Sequence, residues 1–437
     1  MYLSMDKQIK TMNEVNVLRV VFDGLCTGCG TCTGLCPKKA IKMILNTEKG
    51  IFLPEINGEL CIDCEICYKV CPGEVVDFDS LNMEVFNQLP EDSFIGNYVD
   101  CYTGYSFDDD IRFNSSSGGL ITQFLIFALE EGVVDGALVT RMSKEDPLMP
   151  EPFIARTKDE IIEASKSKYC PVPANIALQE ILEAPDNEKF AVVGLPCHIH
   201  GIRKAESINK NLKNKIKLHL GIICNHSPSF HATEFMLETN DISKNEINEL
   251  NYRGEGWPGG MKIGSRIHEE TFIPHFSVKY WGAIFNTFFF PSRCTVCTDK
   301  SCKLSDISFA DAWMPEIMKE DSKGTSLIVI RKNMEDQLNF KKLSSKMSLN
   351  PVSKRIPMES QQLVKIKRKV TANIKIRRLF KKKTPHYMEK EIGIEAGDYL
   401  SAVAFSLKNY LSSSWFLVRL YLTIYQKAFN LKSRIFN

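Results

Sequence analysis

Short apolar runs bounded by turn residues recur through the middle of the chain and alternate with stretches of helical period. Leu120 to Glu131 reads as an apolar helix, Gly136-Ala-Leu-Val-Thr140 as a buried strand, and Asp159 to Ser165 as the start of another helix. Phe190-Ala-Val-Val-Gly194 and Ile216-Lys-Leu-His-Leu-Gly-Ile-Ile-Cys224 are two further strands, and Ser326-Leu-Ile-Val-Ile330 another. Apolar runs of about 4–8 residues interleaved with helices predict an α/β domain built on a central sheet. Between Met261 and Phe290 the pattern becomes strand-rich. Nearer the start, Ala40-Ile-Lys-Met-Ile44 predicts a β flank in a smaller module, and a polar linker over Asn87 to Gly96 follows it.

Length and charge add two features to this picture. At 437 residues the chain exceeds one ordinary core, so two or more domains are expected. The net charge is only +2, but Pro351 to Asn437 holds 18 Lys and Arg against 5 Asp and Glu, a net of +13 that leaves −11 on the preceding 350 residues. The basic character is concentrated over residues 365–383, where Lys and Arg alternate with apolar residues and a helical tail is expected. Beyond it, the apolar and aromatic stretch Tyr410 to Tyr425, with Trp415 and Phe416, is interrupted by Arg419 and is shorter than the roughly 20 residues a bilayer-spanning helix needs. Peripheral attachment to anionic lipid, docking of a partner protein and a plain solvated face all fit this tail. Nucleic acid is not expected, because no recognition module accompanies the basic run. The first residues contain no apolar signal segment or small-residue cleavage site, so a reducing, cytoplasmic setting is expected, peripheral at the inner membrane face if the tail binds lipid.

The chemistry is announced by cysteine. Cys26, Cys29, Cys32 and Cys36 are followed by Pro37, and the same spacing returns in Cys61, Cys64, Cys67 and Cys71, followed by Pro72. Three thiolates at this spacing wrap one face of a cubane, and in two-cluster ferredoxins the fourth ligates the other cluster. One [4Fe-4S] cluster is therefore expected on Cys26, Cys29, Cys32 and Cys71, and a second on Cys61, Cys64, Cys67 and Cys36. Zinc prefers two separated CxxC pairs, and disulfides need an oxidising compartment. Of the seven remaining cysteines, Cys197 and Cys224 lie just past strand ends, and Cys294 and Cys297 form a CxxC. Ligand sites gather outside the carboxyl ends of strands in α/β sheets, so these four are candidates for a third cluster. The plainer reading makes Cys197 and Cys224 ordinary buried cysteines.

Ser115, Ser116, Ser117, Gly118 and Gly119 run directly into the apolar helix at Leu120. Small residues at a helix N-terminus let backbone N–H groups approach a phosphate, whereas an N-cap and turn is the bland alternative.

The ordered set Arg112-Phe-Asn-Ser-Ser-Ser-Gly-Gly119, Gly132-Val-Val-Asp-Gly136, Ser167-Lys-Tyr169, Val193-Gly-Leu-Pro-Cys197, Tyr252-Arg253, Cys294-x2-Cys297 and Ser305-Asp-Ile-Ser-Phe-Ala-Asp-Ala-Trp313 closely resembles the family of coenzyme F420 hydrogenase/dehydrogenase beta subunits. The resemblance covers roughly residues 95–335. It implies an iron-sulfur flavoprotein in which Ser115 to Gly119, with Lys168 and Tyr169, frame the FAD phosphates. Arg253 would bring positive charge to the flavin or substrate, a surface ion pair being its plain alternative. Where the family reads ADIS-x-GD-x-W, this chain has serine at the first position and alanine at the glycine, and Cys302 is an added cysteine.

The expected organisation is an arm (1–19), a bacterial-ferredoxin-like module (20–86), an α/β FAD and [4Fe-4S] domain (95–340) and a basic helical extension (341–437), of mixed α+β and α/β class. The expected activity is an oxidoreductase coupling two-electron flavin chemistry on a small organic substrate or deazaflavin to one-electron transfer with ferredoxin or another redox protein. An electron-transfer subunit that feeds a separate enzyme, and a non-catalytic iron-sulfur scaffold or sensor, are the alternatives. No residue presents itself as a catalytic acid or base.

Overall fold

The computed structural model describes residues 15–277, 288–332, 340–412 and 414–424. Most of the N-terminal arm, the middle of the Met261 to Phe290 stretch and the end of the tail lie outside the described residues.

The cysteine-rich module is a duplicated unit. Strands β1 (Ile41–Asn46) and β2 (Ile51–Ile56) pair antiparallel, with Ile41 opposite Ile56. Each cysteine run contains one short helical turn, Thr31–Gly34 and Ile66–Lys69, entered from the left-handed residues Gly30 (φ 83°) and Glu65 (φ 59°). The module closes with the three-residue β3 (Val75–Asp77).

The larger unit contributes β4 (Asp100–Ser106), β5 (Gly136–Met142), β6 (Pro150–Ala155), β7 (Phe190–Gly194) and β8 (Ile216–Ile222). A separate antiparallel sheet follows, β9 (Ile247–Asn251), β10 (Gly260–Ser265) and β11 (Thr271–Pro274), and the chain then returns through β12 (Ile307–Asp311), β13 (Ser326–Ile330) and β14 (Met347–Val352). The main sheet has eight strands in the order β14-β4-β13-β12-β8-β7-β5-β6. Its middle, β12-β8-β7-β5, is parallel, and antiparallel strands extend it on both sides. The continuous apolar runs belong to this sheet, where helices cover both faces and β13 is buried along its whole length.

Helix α1 (Leu120–Glu130) packs one face through Phe124 and Phe127 against Leu218, Leu220, Ile307 and Phe309. Residues Lys158–Glu163 form α2, and α3 (Pro196–Ile208) covers the opposite face with Ile199 and Ile202. That second core is shared with the cysteine module, because Leu35, Val70, Val76 and Phe78 pack into it beside Leu178 and Phe190. A third core joins α4 (Phe230–Thr239), the small sheet and Phe52 to Val418 of the helical residues 415–424.

The basic run is woven into this body. It forms α5 (Leu363–Leu379), which packs on α6 (Ala396–Leu411), and between the two β15 (His386–Met388) pairs in parallel with β3 of the cysteine module. One of its cations, Lys367, is therefore inside the protein, and Arg377 is half-buried. Lys367 is buried and donates to the Ser93 carbonyl at 2.6 Å and Glu389 at 2.9 Å, and Arg377 donates to Thr295 Oγ1 at 3.0 Å. The plain solvated face considered for residues 365–383 does not describe these positions. Among the described residues no helix is long and apolar enough to cross a membrane.

Candidate cofactor sites

Cysteine groups are the first chemistry the fold assembles. The titratable neighbours of Cys32 are Cys29, Cys71, Cys26 and Cys67, and those of Cys67 are Cys64, Cys61 and Cys36. The fourth cysteine of each run thus stands with the first three of the other. Backbone amides point at the sulfurs, Gly28 N–H to Cys26 at 3.4 Å, Ala40 N–H to Cys36 at 3.3 Å and Gly73 N–H to Cys71 at 3.4 Å. Such bonds favour negative charge on sulfur and are among the protein's means of tuning a cluster. The two groups differ in access. Cys29, Cys32 and Cys71 are buried, while Cys64 is the one exposed cysteine of the fifteen.

A further group forms where three separate segments meet. Cys197 sits in the first turn of α3 behind Pro196, Cys224 follows β8, Cys294 lies within the turn Ser292–Val296 and Cys297 ends it. Around Cys197 stand Cys29, Cys224, Cys297 and Cys294, so this group also abuts the cysteine module. All four line one cavity together with Cys26. Burial pushes the thiols of Cys26 and Cys224 up to about 12. Thiols so buried stay protonated until a metal's charge replaces the proton, so the donor set fits an iron-sulfur cluster. Among the described residues no three His, Cys, Asp or Glu groups are gathered closely enough to hold a single metal ion.

The histidines near this group are engaged in structure. His198 Nδ1 accepts from the Leu195 amide at 3.1 Å and its Nε2 donates to the Val172 carbonyl at 2.9 Å, while burial lowers its pKa to about 4. His200 Nε2 meets Asp299 Oδ2 at 2.8 Å. Beneath them lies a fully buried ionic group with no counterpart in the sequence reading. His219 contacts Glu206 at 2.7 Å and Asp306 at 3.1 Å, and Arg203 bonds the same two carboxylates at 3.0 and 2.9 Å. It ties α3, which carries Cys197, to β8 and the segment leading into β12. Cys302 is buried beside Gly221 and does not line the cysteine cavity, and Cys101 lies in β4.

A second, larger cleft opens beside this cavity at the carboxyl ends of β5, β7 and β8. Its walls include Leu125, Val139, Tyr169, Cys170, Trp313 and Lys166. Leu195, His198, Cys224 and the segment from Asn225 to Ser227 line both spaces, so a single wall separates the cleft from the third cysteine group.

None of the residues Ser115 to Gly119 lines this cleft; the run stands behind its wall and reaches it through Ser116. Ser115 Oγ donates to the Ile111 carbonyl at 2.6 Å, Ser116 Oγ accepts from the Ser167 amide at 2.7 Å, and Ser117 Oγ meets Ser326 Oγ at 2.7 Å. Gly118 donates its N–H to Ser326 Oγ at 2.9 Å, and a Cβ there would lie 2.5 Å from the Gly104 carbonyl oxygen, so its smallness serves packing against the sheet. Gly119 is the left-handed N-cap of α1. Lys168 lines the cleft as well, with its Nζ donating to the carbonyls of Ala164, Ser165 and Lys166 at 2.6, 2.6 and 2.9 Å, closing the end of α2. Arg253 is 1% exposed, which excludes the surface ion pair. It donates to Tyr169 Oη at 3.0 Å, the Ser116 carbonyl at 2.5 Å and Asp311 at 3.0 Å, and so fixes three segments of the cleft at once. Trp313, stacked on Trp257 at 5.0 Å and His275 at 5.6 Å, presents a rigid aromatic surface. The apolar walls and this platform fit a planar cofactor. Lys166 was missed by sequence reasoning although it adjoins the Ser167-Lys-Tyr169 motif.

Comparison with known proteins follows the same division. Residues 101–179 match the model "Coenzyme F420 hydrogenase/dehydrogenase, beta subunit N-term", residues 187–354 match its C-terminal counterpart, and residues 25–75 match a 4Fe-4S dicluster domain. Coenzyme F420 hydrogenase subunit beta of Methanothermobacter thermautotrophicus is 27% identical over 244 residues, 54% of this chain and 81% of the relative. Coenzyme F420-dependent sulfite reductase of Methanocaldococcus jannaschii is 24% identical over 366 residues, which are 78% of this chain and 50% of that protein. An F420H2 dehydrogenase subunit of Methanosarcina mazei is 24% identical over 308 residues, 69% of this chain and 79% of the relative. A chain from the F420-reducing [NiFe] hydrogenase complex of Methanosarcina barkeri shares the fold, with a TM-score of 0.53 at 22% identity over 68% of this chain and 98% of that one.

Proposed function

The chain belongs to the family of coenzyme F420 hydrogenase/dehydrogenase beta subunits, preceded by a 4Fe-4S dicluster domain, and we propose that it is an FAD-dependent iron-sulfur oxidoreductase carrying three [4Fe-4S] clusters. The first cluster is assigned to Cys26, Cys29, Cys32 and Cys71, the second to Cys61, Cys64, Cys67 and Cys36, and the third to Cys197, Cys224, Cys294 and Cys297. FAD is assigned to the cleft, where Tyr169, Lys166 and Trp313 would hold it while Ser115 to Ser117 and Arg253 brace the walls and Gly118, Gly119 and Lys168 shape the loops. Bound there, a flavin exchanges two electrons with an organic substrate or deazaflavin and one at a time with clusters.

The observation that carries this reading is continuity. An exposed cysteine group, a buried one and a third group follow one another, Cys29 stands beside Cys197, and Cys224 forms part of the wall of the cleft. Anaerobic isolation with iron, sulfide and flavin measured together is the test. About twelve irons and one flavin per chain are expected; eight irons without flavin would overturn the assignment.

The names of the relatives, which are subunits of a hydrogenase and of a dehydrogenase, favour a second reading in which the chain passes electrons to a separate catalytic subunit. Reduction of the isolated chain by a deazaflavin separates the two, since a pure electron carrier would not accept hydride. A redox protein such as ferredoxin is the proposed one-electron partner. The end of α5 is the proposed docking element for an anionic bilayer surface, because Leu379 and Phe380 are 79% and 73% exposed between the exposed Arg378 and Lys381 to Lys383. Sedimentation with vesicles containing phosphatidylglycerol, lost in Phe380→Ser and absent with neutral vesicles, tests it.

A further inference from the structure

Arg293 stands one residue before Cys294 and is 4% exposed. Its side chain leaves the larger unit altogether and enters the cysteine module. Nε donates to the carbonyls of Leu25 and Gly73, each at 3.1 Å, and Nη2 to that of Pro72 at 3.4 Å. Those carbonyls flank Cys26 and Cys71. Nη1 has no hydrogen-bond partner, and the guanidinium lines the cavity shared by Cys26, Cys294 and Cys297. Thiols and the Tyr387 phenol face it, its charge is felt by Cys26 of one group and by Cys294 and Cys297 of the other, and the Asp299 carboxylate in the same cavity is bonded to His200 at 2.8 Å rather than to Arg293. A buried cation with an open N–H, no acidic partner and cysteine groups on two sides calls for an anionic ligand with acceptor atoms.

We propose that Arg293 is the charge bridge between the first and third [4Fe-4S] clusters. Its Nη1 donates to a cluster sulfur, and its fixed positive charge raises the reduction potentials of the two clusters it faces above that of the outer cluster on Cys36, Cys61, Cys64 and Cys67. Electrons arriving from outside are thereby drawn inward, one at a time, with the arginine unchanged in charge or protonation. Hydrogen bonding to sulfur and local charge are established determinants of cluster potential. Lys204 is a different device, since its Nζ is taken up by the carbonyls of Cys71 at 2.5 Å and Val75 at 2.9 Å. The inference rests on the three-cluster reading.

Redox titration of the full chain followed by electron paramagnetic resonance, with iron counted on the same samples, decides it. In Arg293→Met the two inner clusters shift to lower potential and the outer one stays in place, changing the inner-to-outer electron equilibrium about tenfold, which is about 59 mV for one electron. Arg293→Lys keeps the charge and loses the fork, so it shifts the same equilibrium less than threefold. Unchanged potentials with full iron, or equal shifts of all three clusters, would overturn the bridge. If the methionine variant loses iron, the lysine variant decides alone, a tenfold shift there counting against the proposal. A wild-type chain with eight irons overturns the three-cluster reading instead, a result told apart by the iron count itself.

Discussion

The two halves of the cysteine module repeat every 35 residues, yet they have been finished in opposite ways. In the inner half the helical turn carries Gly30 and Gly34; in the outer half the corresponding positions are Glu65 and Lys69, which form an exposed pair at 3.3 Å. A Cβ on Gly30 would lie 2.8 Å from the Pro173 carbonyl oxygen, and one on Gly34 only 2.1 Å from that of Asn175. Thr31 receives the Asn175 side-chain N–H at 2.8 Å, and Asn175 donates its backbone N–H to the Cys29 carbonyl at 3.0 Å. One copy of the motif has therefore been trimmed to press its cysteines against Cys197, while the other keeps charged side chains around the exposed Cys64. Burial separates the two copies, and on the proposed reading it makes one an internal relay and the other a port.

The hardest blow to this contrast is to give the inner half the outer residue. In Gly34→Lys the new side chain meets the Asn175 backbone, which cannot move without losing its bonds to Cys29 and Thr31, so the module must lift away. The expected cost is at least about 3 kcal/mol. Thermal unfolding should split into two transitions, and reduction of the outer cluster should no longer reach the cleft.

Next in size is the ionic group under α3, which holds Cys197 against the inner half. Burial, the largest influence on His219, and Arg203 both oppose its charge, but Glu206 and Asp306 together raise its pKa above the ordinary value of about 6.5. The stabilisation is complete below about 6.5, the unfolded value, and is lost as pH rises through the raised folded value. His219→Gln should cost about 3 kcal/mol at pH 6 and much less at pH 9, measured as the difference in unfolding free energy. Equal losses at both pH values would show that His219 is neutral in the folded chain.

A smaller effect is expected at the port. On the proposed reading this face is the port, and Asp63 and Glu65 beside the exposed Cys64, Ile62 and Leu60 favour a basic probe. Replacing both acids with lysine should slow electron transfer to cytochrome c, a basic probe, about tenfold at low salt. The difference should vanish at high salt in a stopped-flow measurement, and its persistence there would place the port elsewhere.

How much of this could be read beforehand depended on whether the controlling physics was local. The central strands and α1 were visible because buried parallel strands are continuously apolar, and Phe190–Gly194 and Ser326–Ile330 coincide with their predicted bounds. Antiparallel β4 and the edge strand β14 escaped notice, since Asp100–Ser106 and Met347–Val352 mix polar residues among their apolar ones. Cys197 and Cys224, expected just past strand ends, and the Cys294–Cys297 pair of a CxxC do line one cavity, while their role as cluster ligands belongs to the proposal. Arg293 was not anticipated, because an arginine gains its meaning from carbonyls more than two hundred residues away. The packing of the basic tail was hidden in the same manner, as charge in a sequence does not say that Lys367 will be buried against Ser93 and Glu389. The docking side of the module was legible after all, in the exchange of glycine for charge between two otherwise matched cysteine runs.

The mirror substitution makes the sharpest use of that exchange because almost nothing should happen. Glu65 has φ 59°, a conformation that costs a side chain about 1 kcal/mol and that glycine adopts freely. Glu65→Gly relieves that strain, gives up an exposed pair with Lys69 worth a few tenths of a kcal/mol, and adds flexibility to the unfolded chain. These contributions offset one another, so stability should stay within about 0.5 kcal/mol of the parent in denaturant unfolding. Gly30→Glu installs the same residue at the same step of the same turn, against the Pro173 carbonyl and Ile176, and should be far more damaging. If the two substitutions prove equally mild, the inner half is not pressed against the larger unit as tightly as its glycines imply, and the distinction between relay and port loses its structural basis.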